Sequence, residues 1–220
     1  MSNIATGVIT CGIRILHPNI LKYNPTIFVD KDRNGAAYGK NELIHKFYTE
    51  GKEHIFLFDD DCYCAIDGWQ ERIIEWAKKY DVHYLAGLDF KNIHIVAHQP
   101  DTVVSKDPYI GGYYYMDSKC IETIGYYNER LVKYGWEDVT YAIRAYKAGI
   151  IGHFGNGNTG TGSNGYPTPI WINMYMHACD MFDEKNKPNM EQDEKNKYVE
   201  LNKAEAQREA NEEGYIGYKR

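Results

Sequence analysis

The chain has 220 residues, 43% of them hydrophobic and 25% charged, which suits one globular α/β domain with a short extension. Its net charge of −6 argues against a general nucleic-acid surface, because phosphate binding needs clustered Lys and Arg. The five cysteines (Cys11, Cys62, Cys64, Cys120 and Cys179) are odd in number and lack Cys-x-x-Cys spacing, so they read as reduced thiols rather than a disulfide frame or a zinc site.

In chain order, residues 4–15 read as a first strand centred on Val8 and Ile9, with Thr10-Cys-Gly-Ile-Arg14 as the loop at its end. Residues 17–21 read as an irregular connection, since Pro18 biases its predecessor to extended backbone. Residues 25–30 form a second strand ending in Asp30, and a polar turn follows at 31–35. Residues 36–50 read as a helix closed by Gly51. Next comes His54-Ile-Phe-Leu-Phe-Asp-Asp-Asp61, an apolar run that stops in three carboxylates. A run apolar on both faces suits a strand buried in a parallel sheet.

The clearest helix spans 67–79, with Trp69, Ile73, Trp76 and Ala77 on one face and Asp67 as N-cap. Residues 82–88 read as a strand, 93–97 as part of an antiparallel hairpin, and 113–116 as a strand entered through Gly111-Gly112. A short helix is expected at 118–125 and a longer one at 137–148. The stretch 155–165, rich in Gly and Asn, reads as a substrate lid or a plain linker. Residues 170–182 are apolar enough for a docked helix, and from Asp183 onward the chain is dense in Lys, Glu, Asn and Gln, so 194–213 reads as a solvated helix. No internal repeat is visible. The expected fold is α/β, a mostly parallel nucleotide-binding sheet flanked by helices over 1–182, with a charged helical extension at 183–220.

Ligands of open α/β sheets bind beyond the carboxyl ends of the strands, where Asp59, Asp60 and Asp61 fall. Three adjacent acids repel one another unless a positive charge joins them, and Mg²⁺ or Mn²⁺ is the hard cation such oxygens favour. The plain alternative is an acidic turn capping the next helix. The 20 tyrosines suit sugar stacking and hydrogen bonding, or reflect composition alone.

Three further segments keep a fixed order: Tyr109-Ile-Gly-Gly-Tyr-Tyr-Tyr-Met116, Ile124-Gly-Tyr-Tyr-Asn-Glu129 and Tyr134-Gly-Trp-Glu-Asp138. With the acid triplet as an Asp-x-Asp motif, the chain resembles the GT-A nucleotide-sugar glycosyltransferases of the galactosyltransferase and glycosaminoglycan-polymerase type over roughly residues 4–155. Tyr126, Tyr127 and Asn128 depart from the Gly, Phe and Asp of that pattern. The resemblance implies a Mn²⁺- or Mg²⁺-dependent enzyme that moves a sugar from a nucleotide-diphosphate donor, a UDP-sugar by family default, to an acceptor hydroxyl with inversion.

On that resemblance Asp59 and Asp61 are metal ligands, with His153 as a further ligand and His177 a weaker substitute. Asp138 is the base and Glu137 binds the acceptor. Thr10, Arg14, Asp30 and Asp60 contact the nucleotide, and Gly111, Gly112 and Trp136 face the sugar or acceptor. Each has a structural alternative: a helix-start acid for Asp138, core packing for Trp136, a strand cap for His153, a surface position for Arg14, a bulge for the two glycines. Competing functions are a nucleotidyltransferase, for which the loop after the first strand is a poor match, and a non-catalytic sugar- or nucleotide-binding domain. The acceptor is open: a glycan, a small molecule or a modified macromolecule. With no signal peptide and no apolar segment near a membrane span of about 18 residues, a cytoplasmic protein without a membrane anchor is expected.

Overall fold

The computed structural model describes residues 3–64, 67–86, 95–99, 102–105, 112–150, 160–161, 167–168, 171–174 and 190–212. Strands are β1 (Ile4–Thr10), β2 (Thr26–Val29), β3 (His54–Asp59), β4 (Tyr84–Ala86), β5 (Ile95–Gln99), β6 (Thr102–Ser105), β7 (Tyr113–Asp117), β8 (Gly160–Thr161), β9 (Pro167–Thr168) and β10 (Trp171–Met174). Helices are α1 (Pro18–Leu21), α2 (Ala36–Thr49), α3 (Trp69–Tyr80), α4 (Ser118–Ile124), α5 (Glu137–Lys147) and α6 (Gln192–Asn211).

The central sheet has the order β2-β1-β3-β7-β4. β1 pairs in parallel with β2 and β3, whereas β7 runs antiparallel to both β3 and β4. The sheet is therefore mixed rather than mostly parallel. Strand direction escapes the sequence here because β3 and β7 are apolar on both faces whichever way they run. Their side chains alternate between two cores. Ile55, Leu57, Tyr114 and Met116 join α2, α4 and α5 on one face. Phe56, Phe58, Tyr113 and Tyr115 join Trp69 and Ile73 of α3 on the other. Helix α2 lies close on β1 because Gly39 has no side chain; a Cβ there would meet Ile9 Cγ2 at 2.7 Å.

Several elements differ from expectation. The first strand stops at Thr10, and Pro18 starts the short helix α1, with the His17 ring accepting from the Asn19 N–H. Asp67 does not cap α3; Gly68 holds that position in left-handed backbone, and Asp67 pairs with Lys22. Helix α4 starts at Ser118 as expected, and Asp117 caps it by accepting from the Cys120 N–H. The apolar run 170–182, read as a helix, contains β10, which pairs antiparallel with β6. Short apolar runs do not distinguish the two states by periodicity, and Trp171 and Ile172 favour the strand. Most of the 155–165 stretch lies outside the described residues.

Of the stretch 194–213, read as solvated, residues 194–211 fall on α6, which is docked. The buried Asn202 amide donates to the carbonyls of Val132 and Tyr134 and accepts from the Val132 N–H. The Trp136 indole N–H donates to the Val199 carbonyl at 2.8 Å, and Arg144 pairs with Glu209 at 2.8 Å. Among the described residues no helix is long and apolar enough to cross a membrane.

Candidate nucleotide-binding site

The carboxyl ends of β1, β2 and β3 open into a cleft of about 410 Å³. Thr10 and Arg14 follow β1, Asp30 and Arg33 follow β2, and Asp59 to Asp61 close β3. The segment 133–138 and the start of α6 form the opposite wall. Elements from distant parts of the chain thus converge on the place where a parallel βαβ unit leaves its strand ends open.

The acid triplet divides between two cations. Asp60 is buried, and its two oxygens accept from the Thr10 hydroxyl at 2.6 Å and from Arg14 Nη1 at 2.8 Å. Arg14 Nη1 also donates to Asp61 Oδ2 at 2.5 Å. Asp59 faces a different cation, the ammonium of Lys40, which is fully buried. Lys40 Nζ donates to Asp138 Oδ1 and, at 3.3 Å, to Glu137 Oε1. It lies 4.3 Å from the centre of the Tyr114 ring and 5.2 Å from that of Tyr127. The Tyr114 hydroxyl donates to the other Asp138 oxygen at 2.6 Å.

The charge balance follows from this geometry. Burial opposes the charge on Lys40, but Asp138, Glu137 and Asp59 outweigh it and raise its pKa. Burial also pushes the Asp59 carboxyl well above the usual range; Lys40 opposes this, while Asp138, Asp61 and Glu137 add to it. Glu137 is raised by burial and then by Asp138, against Lys40. Asp59 makes no side-chain hydrogen bond among the described residues. One ammonium therefore leaves three carboxylates short of positive charge.

The expected site residues fare differently. Thr10, Arg14, Asp30, Asp59, Asp60, Asp61, Trp136, Glu137 and Asp138 line the one cleft. Asp30 is buried and caps its own turn, accepting from the Asn34 and Gly35 N–H groups at 3.0 and 2.8 Å. Gly112 accepts from the Asp59 N–H through its carbonyl at 2.9 Å. Gly111 and His153 lie outside the described residues. Among the described residues no three His, Cys, Asp or Glu side chains form a ready metal cluster. The oxygens of Asp59 and Asp61 still fit a hard cation, because Mg²⁺-type sites use one or two carboxylates and complete the shell with substrate phosphates and water.

Sequence reading missed Lys40, Tyr114, Arg33, Lys133, Tyr134 and Lys195. Lys40 had a signal: it falls on the α2 face that carries Ala37, Leu43, Ile44 and Phe47, all buried. A Lys on an apolar stripe needs a buried acid. Lys195 had none, being one Lys in a run of Lys and Glu.

No protein-family model matches the chain, and no curated protein matches it. The chain is similar to the solved crystal structure of A197 from STIV, at 13% identity and a TM-score of 0.40, over 56% of this chain and 69% of that chain.

Proposed function

We propose that the chain is a GT-A type glycosyltransferase that moves a sugar, with inversion, from a nucleotide-diphosphate donor, a UDP-sugar, to an acceptor hydroxyl. What supports this reading is the meeting, in one cleft, of the Asp59 to Asp61 strand end with the Glu137-Asp138 helix start. These segments are far apart in sequence and carry the two motifs of the resemblance.

In this reading the strand ends at Thr10 and Asp30 seat the nucleoside, and Asp59 with Asp61 hold Mn²⁺ or Mg²⁺. Bound there, the cation would offset the charge that develops on the diphosphate leaving group. Asp138 takes the proton of the acceptor hydroxyl as that oxygen attacks the anomeric carbon. Lys40 and the Tyr114 hydroxyl occupy one lone pair on each Asp138 oxygen and fix the carboxylate. A carboxylate offers about four lone-pair sites, so acceptor capacity is left. Trp136, whose indole N–H is tied to Val199, presents its ring to the cleft as a stacking face for sugar.

The test is a calorimetric titration of UDP and GDP with Mn²⁺, then with EDTA. The metal should strengthen UDP binding well beyond that in EDTA, and Asp61→Asn should abolish that metal-dependent gain while the fold survives. Asp138→Asn should keep donor binding and lose sugar transfer from a panel of UDP-sugars. Normal transfer by Asp138→Asn would remove it as the base, and no nucleotide binding under any metal condition would sink the reading.

A further inference from the structure

The cleft carries a second set of charges that the reading above does not use. Arg33, Lys133 and Lys195 line it from the β2–α2 loop, the segment before α5, and the first turn of α6. None of the three makes a side-chain ion pair among the described residues. Arg14, the other arginine of the cleft, is committed to Asp60 and Asp61.

The backbone holds these cations in place. Gly35 and Lys133 are bridged, and the Ala36 N–H donates to the Lys133 carbonyl at 3.3 Å. Gly35 has φ 121°, and a Cβ there would sit 2.6 Å from Lys133 N, so the contact of the two basic loops requires glycine. Lys195 arrives on α6, which Asn202 and Val199 pin to the same segment. Its ammonium lies 5.4 Å from the centre of the Tyr134 ring. The Tyr134 hydroxyl has its pKa raised by burial and then by Glu137, Asp59, Asp138 and Asp61. Tyr134, Lys195 and those four acids line the same cleft.

We infer that Arg33, Lys133 and Lys195 form a clasp for a diphosphate-class polyanion that acts without metal, and that α6 is a working wall of the site. The inference deepens the proposed function and rests on the cleft being the donor site. A planar guanidinium and two ammonium groups from separate elements suit the several oxygens of a diphosphate. Among the described residues none of the three is paired with a carboxylate, which leaves their charge available to it. The clasp also gives α6 a chemical role: its docking brings Lys195 to the cleft.

The experiment titrates inorganic pyrophosphate into the intact chain in EDTA at low ionic strength, by calorimetry. Wild type should bind, more weakly as salt is raised, since the Debye length shortens from about 30 Å at 0.01 M to about 10 Å at 0.1 M. Lys195→Met and the double variant Arg33→Gln/Lys133→Gln should each weaken binding about tenfold, with thermal unfolding unchanged. If Lys195→Met lowers the unfolding midpoint, Lys195→Gln replaces it in the same titration. Absence of pyrophosphate binding to wild type in EDTA, or unchanged affinity in both variants, overturns the clasp. Pyrophosphate binding in EDTA without any metal-dependent UDP binding keeps the clasp and removes the glycosyltransferase reading, so the two failures are distinct.

Discussion

Two cations neutralise carboxylates in the cleft, and they do so in unlike settings. Arg14 sits in a loop, 8% exposed at its side chain, beside Asp60 at 3% and Asp61 at 19%. Lys40 sits inside the protein at 0%, roofed by the Tyr114 and Tyr127 rings, and serves Glu137 and Asp138 directly and Asp59 through space. Arg14 organises a rim that water can reach in part. Lys40 carries the charge of an interior. The lesson is that similar ion pairs differ in consequence according to whether water can replace the lost partner.

The largest expected effect tests the interior pair. Lys40→Met strands Asp138 and Glu137 without a cation and should cost about 3–5 kcal/mol of stability, read from urea unfolding. Arg14→Met should cost less, about 1–3 kcal/mol, because Thr10 still donates to Asp60 and water can reach Asp61. Equal losses in the two variants would break the comparison.

The smallest effect extends the same rule to α6. A side-chain hydrogen bond from Arg208 holds the Glu205 carboxyl down at about 2, helped by Asn128 and against partial burial. A depressed carboxylate contributes stability that is present above its ordinary value of 4.5 and lost as pH falls through about 2. Acid should therefore loosen α6 over that window. Indole fluorescence from Trp136, bonded to Val199, would report it when compared with Glu205→Gln. A transition unchanged in Glu205→Gln would assign the loosening to other groups.

Much of the site was legible because its residues end strands or open a helix. Asp30, Asp59 to Asp61 and Glu137-Asp138 stand where a run of apolar residues stops or an amphipathic pattern begins, and such boundaries are local. The polar stretch ending at Gly35 marked a turn in the same way. The partners of these acids were not legible. Arg14 is 46 residues from Asp60, and Lys40 is 98 from Asp138. Neither spacing carries a periodic signal.

By itself the sequence determined which segments are buried strands and which helix faces are apolar. It also set down the acids that the strand ends present, since side-chain chemistry and period are properties of adjacent residues. Only the tertiary structure decided the direction of β7, the strand state of Trp171–Met174, the burial of Lys40 and the docking of α6. Each of these depends on a partner distant in the chain. β7 lies between β3 and β4, Lys40 beneath α5, and Asn202 against the carbonyls ahead of α5. Long-range pairing is chosen by the free energy of the whole packed arrangement, and no window of neighbouring residues contains that quantity.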